Sequence, residues 1–258
     1  GQINGTTGYE EAGGQGILAG INAHLACKGD ERFTLSRDES YIGVLVDDLV
    51  NKGVDEPYRM FTSRAEYRIL LRQDDADMRL TEKSYDLGLA KKDRYDLLIE
   101  KKQRRDEIME YVKSTTVHKA AANEFLRKVN SSEVKEGTKL VDLLLRPEIK
   151  LNDLIEHFYG LHELTDKITN RKEEIIEAAE ILVKYDGYIK REKSLAEKLH
   201  RLENIRIKDK FDYASIHQLS TEARQKLAKI NPETIGQASR ISGVAPSDIS
   251  ILLLLCGR

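Results

Sequence analysis

The first residues of the chain have the types and spacing of a ligand-binding turn. Gly1, Gly5 and Gly8 lie close together, and glycine permits positive φ angles and close approach of the backbone to a ligand. Residues 7–10, Thr-Gly-Tyr-Glu, have the pattern of a capping box and predict that a helix begins there. The amino end of a helix favours anions and electron-rich edges of ligands. Such a turn is also common as a plain connection, so the pattern alone leaves both interpretations open.

A cluster of arginines and aromatic residues could contact nucleic acid. The aromatic residues lie among the arginines: Arg59, Arg64, Arg68, Arg72 and Arg79, with Tyr58, Phe61 and Tyr67. Ser63 has the pattern of a helix cap, and a helix over 67–72 would place Arg64, Arg68 and Arg72 on one face, although a strand is also compatible. Guanidinium groups beside aromatic rings suit phosphate contacts and stacking on an unpaired base. The competing interpretation is an ion network with nearby carboxylates: Glu56, Glu66, Asp74, Asp75 and Asp77.

A second basic region lies between residues 184 and 208, the most basic stretch of the chain. Tyr185, Tyr188, Lys190 and Arg191 bring rings and cations together, which suits a surface that faces RNA. Tyr185 also fits the apolar seam of a helix, so a core role is the alternative.

Other patterns favour structural roles. Cys27 and Cys256 lie far apart and form no CxxC pair. His200 with Glu203 has a ligand-like spacing, but a solvated pair is the better explanation. Residues 232–255 resemble a helix-turn-helix, yet the second helix lacks the basic and amide side chains that read DNA. The chain is therefore predicted to hold no metal, no catalytic residue and no DNA.

The composition predicts a mainly α-helical protein. Of the 258 residues, 40% are hydrophobic and 33% are charged, with four prolines and no tryptophan. The net charge is −2, so any nucleic-acid surface has to be local. The longest apolar run, 251–256, is too short to cross a bilayer, and no signal peptide is recognised. We expect a cytoplasmic protein without membrane insertion.

Periodicity, helix caps and helix-breaking residues place the elements. Residues 36–39, Ser-Arg-Asp-Glu, have the pattern of a second capping box, and Thr81 and Ser220 are predicted helix caps. Helices are predicted over residues 7–26, 41–50, 81–87, 93–115, 140–146, 152–159, 169–203, 220–230, 233–242 and 246–255. Residues 56–62 are predicted to be extended, and Lys52 with Gly53 to stop the second helix. Ile175, Leu182, Ile189 and Ala196 recur every seven residues, which predicts one long helix of about 35 residues. The predicted domains are 1–75, 76–208 with the long basic helix, and 209–258.

Several long blocks resemble the GidA/MnmG family of flavoproteins that modify the wobble uridine of certain transfer RNAs. The blocks are residues 2–23, beginning Gln-Ile-Asn-Gly-Thr-Thr-Gly-Tyr-Glu-Glu-Ala, and residues 41–49, 56–68, 77–81 and 235–244. Gly13-Gly14 departs from the family pattern, where small alanines are more usual. The resemblance covers nearly the whole chain and implies the closing segment of an FAD-binding domain followed by a multi-helix C-terminal domain.

The resemblance also implies chemistry and partners. The intact protein would use FAD, NADH and methylenetetrahydrofolate to add a carboxymethylaminomethyl or aminomethyl group to C5 of uridine 34, as a homodimer acting with the GTPase MnmE. Gln2 matches a position that contacts FAD, and Asn4, Gly5, Thr6 and Thr7 would border the same cofactor. The residues expected to bind tRNA are Arg59, Arg64, Arg68, Arg72, Lys190 and Arg191.

The reactive cysteines of the family belong upstream of residue 1, so this chain alone is expected neither to hold FAD nor to turn over substrate. Three alternatives stay open. The chain could be a protein-interaction module without RNA contact, a relative of the folate- and flavin-dependent tRNA uridine methyltransferases, or a helix-turn-helix regulator. The long helical tail argues against the second of these, and the apolar last helix argues against the third.

Overall fold

The computed structural model describes residues 1–51, 56–203, 205–207 and 209–257, apart from the side chains of Gln2, Leu199, His200 and Glu203. The predicted helix stop at Lys52 and Gly53, and the predicted pairing of His200 with Glu203, lie outside the described residues.

Helices dominate the described residues, and the predicted mainly α fold is confirmed. The α-helices are α1 (Tyr9–Lys28), α2 (Tyr41–Asn51), α3 (Ala76–Asp86), α4 (Lys92–Ser114), α5 (Lys119–Lys128), α6 (Leu140–Leu144), α7 (Leu151–His157), α8 (Tyr159–Asp166), α9 (Lys172–Lys184), α10 (Asp186–Glu203), α11 (Thr221–Ile230), α12 (Ile235–Ser239) and α13 (Pro246–Leu255). Strands β1 (Thr116–Val117) and β2 (Thr138–Lys139) pair antiparallel, with Thr116 opposite Lys139. None of the described helices combines the length and apolar character needed to span a membrane.

The chain divides into two compact units. Unit 1 comprises Gly1–Leu71 with Arg191–Arg258, and unit 2 comprises Arg72–Lys190. The three domains predicted over 1–75, 76–208 and 209–258 stay a prediction.

The core of unit 2 is built from α4 to α9. Each of these helices contributes fully or almost fully buried apolar side chains, among them Val112, Phe125, Leu144, Leu154 and Ile175. Burying a side chain of this size stabilises the fold by about 1.5–3 kcal/mol. The helix predicted over 93–115 is confirmed as α4, within a residue at each end.

A buried cation ties three helices of unit 2 together. Lys101 of α4 is almost completely buried, and its Nζ lies 2.9 Å from a carboxylate oxygen of Asp77 in α3 and 2.5 Å from one of Glu174 in α9. A buried charge is stable only when it is paired, so these ion pairs make α3, α4 and α9 interdependent.

The C-terminal part of unit 1 is a small helical bundle with a separate core. Ile207, Leu227, Ile235 and Leu252 are fully buried in it. The predicted cap Ser220 is confirmed, because its Oγ accepts a hydrogen bond from an N–H of the first turn of α11.

The last two helices agree only in part with the bounds predicted from the sequence. Pro246 begins α13 as predicted. The helix predicted over 233–242 is shorter, because Thr234 caps α12 and the helix ends at Ser239. Gly243, at a φ of 92°, adopts the left-handed conformation that the turn to α13 requires.

Two predicted helices are wrong. The 35-residue helix over 169–203 is two helices, α9 and α10, because Tyr185 leaves the helical conformation at φ −102° and ψ 9°. The helix and the strand considered over 67–72 are both absent from this described segment, which forms turns after a 3₁₀ turn at Thr62–Arg64. Arg64, Arg68 and Arg72 therefore do not share a helix face.

Capping positions were also misplaced. The first helix begins at Tyr9 with Gly8 at its N-cap, so the capping box predicted at residues 7–10 does not form. At the start of α2 the hydroxyl oxygen of Ser40, rather than that of Ser36, accepts a hydrogen bond from the N–H of Gly43 at 2.9 Å. Thr81 lies buried inside α3 instead of capping it.

Candidate functional site

The opening turn is fixed to α1 by a short chain of side-chain hydrogen bonds. A 3₁₀ turn at Gln2–Asn4 leads into Gly5, which adopts the left-handed conformation with a φ of 81°. The Asn4 amide donates to the side chain of Gln15 at 2.8 Å, and the Gln15 amide donates to the Thr6 hydroxyl at 2.9 Å. Gln15 is buried one and a half turns into α1, so the helix holds the turn in one conformation.

The turn exposes some of the predicted cofactor residues and buries another. Asn4 and Thr7 are exposed, Gly5 is half-buried and Thr6 is fully buried. The side chain of Gln2 lies outside the described residues. Thr6 therefore supports the turn from beneath, while Asn4 and Thr7 are open to a ligand.

The opening turn is joined to the arginine segment, residues 56–68. The N–H of Tyr58 donates to the carbonyl of Gly5 at 2.7 Å, and Thr6 and Tyr58 form a parallel bridge. The predicted extended conformation of 56–62 is thus realised as a single bridge rather than a strand. The hydroxyl of Tyr58 donates to the carboxylate of Asp48 in α2 at 2.8 Å.

Glu11 makes a second connection between the same two parts of the chain. Its side chain is only 4% exposed, and Oε1 accepts the N–H of Met60 at 2.8 Å and the Nε–H of Arg59 at 3.3 Å. The Met60 N–H, together with the N–H of Glu11 itself and the charge of Arg59, lowers the pKa of Glu11 despite burial. The carboxylate packs against Gly8, where a Cβ would overlap it.

Arg37 is a buried ionic centre beneath this surface. Burial alone would lower its pKa, but the adjacent carboxylates of Glu66 and Asp48 outweigh burial and raise it. Its acceptors are the carboxylates of Asp47, Asp48 and Glu66 at 2.7–3.0 Å and the carbonyl oxygens of Val44 and Arg64 at 3.3 and 3.1 Å. Asp47 also pairs with Arg240 of the terminal bundle at 2.8 Å.

The residues of this centre were missed by sequence reasoning. Ser36-Arg37-Asp38-Glu39 was interpreted as a capping box, which hid the role of the arginine. A usable signal was present in α2, where Asp47 and Asp48 interrupt an otherwise apolar helix. A buried carboxylate requires a donor or a cation, so this pair indicated a partner elsewhere in the chain.

The arginines predicted to bind tRNA differ sharply in how they are engaged. Arg64 lies over the ring of Tyr58, with its guanidinium carbon 4.3 Å from the centroid, and its Nε donates to the carbonyl of Arg59 at 2.7 Å. Arg72, in unit 2, is bonded to the carboxylates of Asp74 and Asp75. For Arg72 the structure matches the ion network that the sequence left open.

Two of the predicted residues are engaged less. Arg68 is exposed, and within the described part of the chain no hydrogen bond or ion pair holds its side chain. Arg59 is 57% exposed and has one acceptor, Glu11, among the described residues. These guanidinium groups therefore have donors left for an anion.

The second basic region is partly engaged. Lys190 pairs with Asp186 at 2.6 Å, whereas Arg191 is exposed and has no ion pair among the described residues. Tyr185 and Tyr188 are exposed, with ring centroids 6.2 Å apart, so the core role considered for Tyr185 is wrong.

A cavity of about 880 Å³ lies in unit 1, next to the opening turn. Its wall includes side chains of the opening turn, α1, α2, the arginine segment and the terminal bundle: Asn4, Gln15, Val46, Tyr67, Gln237 and Arg240. Tyr67 is buried, and burial raises its pKa to about 12. The cavity shares Asn4 with the turn that is predicted to border a cofactor, and Gln15 with the hydrogen bonds that hold this turn.

Three family models match successive parts of the chain. They are described as glucose inhibited division protein A, over residues 1–31, as tRNA modifying enzyme MnmG/GidA C-terminal helical domain, over 92–193, and as the C-terminal helical bundle of the same enzyme, over 195–258. The structure of Aquifex aeolicus GidA in the form II crystal superposes with a TM-score of 0.78 at 42% identity, over 100% of this chain and 39% of that one.

Curated relatives agree with these models. Proteins named tRNA uridine 5-carboxymethylaminomethyl modification enzyme MnmG are 62% identical in Phocaeicola vulgatus and 65% identical in Parabacteroides distasonis, in each case over 100% of this chain and 41% of the relative. Fold and sequence therefore match the C-terminal helical domains of the MnmG/GidA family. The chain belongs to the GidA/MnmG family, and it spans about two fifths of the length of the relatives it matches.

Proposed function

We propose that the intact protein is a flavin-dependent enzyme that adds a carboxymethylaminomethyl or aminomethyl group to C5 of uridine 34 in tRNA, and that this chain is its C-terminal part. The relatives that carry the name of this modification are 60–65% identical across the whole chain, in six of the bacterial proteins compared. The single structural observation that supports the proposal most is the junction of the opening turn with the arginine segment, made at Gly5 and Tyr58. It joins residues 5 and 6 to Tyr58, next to Arg59, and so supports a proposal in which the cofactor and the RNA lie close together.

The opening turn fits one edge of FAD. The exposed Asn4 and Thr7 and the half-buried Gly5, which is in the left-handed conformation, leave a surface for a ligand ahead of α1, and Thr6 is buried beneath it. The amino end of α1 favours an electron-rich ligand. In this proposal Gln2, Asn4, Gly5, Thr6 and Thr7 border the cofactor. FAD reduced by NADH, with methylenetetrahydrofolate as the one-carbon donor, would supply the redox and carbon chemistry, and the residues of this chain would bind and orient.

The tRNA would be held by the basic residues that are not already engaged. The side chains of Arg68 and Arg191 have no partner among the described residues, and Arg59 is bonded through Nε alone. Arg64, also bonded through Nε, is in addition stacked on the ring of Tyr58, and Arg72 and Lys190 are paired with carboxylates. We therefore rank the first three as phosphate ligands and the others as residues that shape the surface. The GTPase MnmE as partner, a homodimer and a cytoplasmic location belong to the same proposal.

The proposal is tested in a bacterium from which the full-length gene has been deleted. Mass spectrometry of tRNA nucleosides is expected to show loss of the modified uridine, and the wild-type gene is expected to restore it. Arg68→Ala should restore it only partly, and should lower the salt dependence of tRNA binding by about one phosphate contact. Arg94→Ala removes an exposed arginine of α4 and is the matched control.

The outcomes separate two questions. Unchanged tRNA modification in the deletion strain would refute the proposed enzyme. Equal behaviour of the Arg68 and Arg94 variants would refute only the role of Arg68.

A protein-interaction role without RNA contact is the second candidate. It is favoured by the end of α13, where Leu254 is 74% exposed and Leu255 is 51% exposed. Exposed leucines at a helix end suit a protein partner. Binding of the GTPase to the chain, measured with and without tRNA, distinguishes the two candidates, because a module without RNA contact is insensitive to tRNA.

A further inference from the structure

The side chain of Arg59 is bonded to the described part of the chain through only one nitrogen of its guanidinium group, Nε. Its Nε–H is directed to Oε1 of Glu11, and among the described residues its two Nη atoms have no hydrogen-bond partner. A guanidinium group has donors on both edges, so an arginine whose Nε is bonded to a carboxylate still presents its Nη groups to an anion. Arg59 thus has the arrangement of an oriented phosphate ligand rather than of a saturated ion pair.

Glu11 also controls the backbone that carries this arginine. The same oxygen, Oε1, accepts the N–H of Met60 at 2.8 Å, so the residue after Arg59 is fixed along with the side chain. Glu11 is itself almost completely buried in the first turn of α1, against Gly8. A buried carboxylate has little freedom to move, and its position is set by the helix that follows the opening turn.

Arg68 provides a contrast within the same segment. It is exposed and has no acceptor among the described residues, so nothing there restricts its rotamers. Its attraction for an anion is therefore general, whereas the attraction of Arg59 is directed. An oriented donor loses less side-chain entropy when it binds.

From this geometry we infer that Glu11 is a positioning residue for Arg59, and that it directs the guanidinium group toward a phosphate of the RNA that lies beside the opening turn. The inference rests on the proposed function, because it takes RNA as the ligand. Glu11 contacts Arg59 and the Met60 backbone, and it reaches the RNA only through Arg59. It links the position of the RNA phosphate to the helix that starts at the candidate cofactor turn.

Whether Glu11→Gln weakens or strengthens tRNA binding distinguishes a positioning role of Glu11 from a purely electrostatic one. Removal of a negative charge near a cationic surface would by itself strengthen the binding of a polyanion. If Glu11 positions Arg59, the same substitution weakens binding, because the amide still accepts the Met60 N–H but holds the guanidinium less strongly. We expect affinity for tRNA to fall about fivefold, the scale of one charge-assisted hydrogen bond.

The experiment is a double-mutant cycle in the full-length protein at fixed salt. Affinity for tRNA is measured for wild type, Glu11→Gln, Arg59→Ala and the double variant, with Glu10→Gln, an exposed neighbour in the same turn, as the matched control. The expected result is that Glu11→Gln weakens binding only when Arg59 is present. A residue that served stability alone would reduce the melting temperature and act equally in both backgrounds.

Each of the other outcomes would overturn a stated part of the proposal. Additive effects, or tighter binding by Glu11→Gln, would overturn the positioning role while the proposed function stands. Unchanged affinity of Arg59→Ala for tRNA would show that Arg59 does not contact the RNA, and would overturn the inference. A wild-type protein that does not bind tRNA would overturn the proposed function and the inference with it.

Discussion

Replacement of Arg37 by methionine is expected to destabilise unit 1 more than any surface change. The side chain is 8% exposed and donates six hydrogen bonds, four to carboxylates and two to carbonyls. Methionine fills much of the same space, so the main loss is the charge. Removal of one partner from a buried ion pair generally costs about 3–5 kcal/mol.

The structure places the expected cost near the lower end of that range. Glu66 is 43% exposed and can be hydrated, and Asp47 keeps its pair with Arg240. Asp48 is 1% exposed and would keep the hydrogen bond from the hydroxyl of Tyr58, but it would lose the adjacent guanidinium charge. We therefore expect a loss of about 3 kcal/mol, most of it from the loss of this cation beside a buried carboxylate.

Hydrogen exchange of peptides from α2 measures this directly. A loss of about 3 kcal/mol raises the opening equilibrium of the slow amides by roughly two orders of magnitude. Arg32→Met is the matched control, since Arg32 is exposed and has no ion pair among the described residues, and it should change the exchange by less than about threefold. Exchange in the Arg37 variant that stays within the range of this control would refute the buried ionic centre.

Two further predictions concern hydroxyl and carboxyl groups. Tyr58→Phe should destabilise α2 by about 2 kcal/mol because it removes the donor to a buried carboxylate, whereas Tyr67→Phe should be neutral or slightly stabilising, because its buried hydroxyl has no partner among the described residues. Hydrogen exchange of α2 in both variants checks this, and equal destabilisation would contradict it. Burial favours the neutral form of Asp248, but two backbone N–H donors and a hydroxyl outweigh it and lower its pKa below the usual 3.8. The carboxylate therefore stabilises the terminal bundle above that pH and loses its effect as the pH falls through the lowered pKa, so Asp248→Asn should cost about 1–2 kcal/mol in urea unfolding at neutral pH and nothing at the acid end. A cost independent of pH would contradict that assignment.

The helices that the sequence located well are those predicted from local patterns. The charged helix α4 begins after Lys91 and ends before Thr115, close to the predicted bounds, and α11 begins at the predicted cap Ser220. The pattern that predicts each of these helices lies within the helix or next to it. Local propensity and tertiary structure then favour the same answer.

Capping patterns failed where a distant group competed for the same atoms. Ser36 and Glu39 do form one hydrogen bond of the predicted box, from the Ser36 N–H to the carboxylate at 2.9 Å, but they close a turn and the helix starts five residues later. The reason lies in Arg37, which is drawn inward to acceptors on α2 and on the arginine segment. A capping box inferred from four residues cannot include such partners.

The same distant contacts explain why the arginine segment is neither a helix nor a strand. Arg37 binds the carbonyl of Arg64 and the side chain of Glu66, which lie 27 and 29 residues further along the chain. The carbonyl of Arg64 accepts a hydrogen bond from a buried guanidinium group, and the N–H groups of Tyr58 and Met60 are bonded elsewhere in the chain. These backbone groups therefore have partners without regular secondary structure. The backbone turns instead, so Arg59, Arg64 and Arg68 do not line up on one helix face.

The buried ionic centre, which the helix prediction did not include, therefore also explains why the three arginines differ. Arg64 is stacked on a ring, Arg59 is bonded to a carboxylate, and Arg68 extends from the surface. If the buried charges were removed, the segment would lose the anchors that create this difference, so an effect of Arg37→Met on RNA binding should follow from the structure of the segment and not from any contact of Arg37 with RNA.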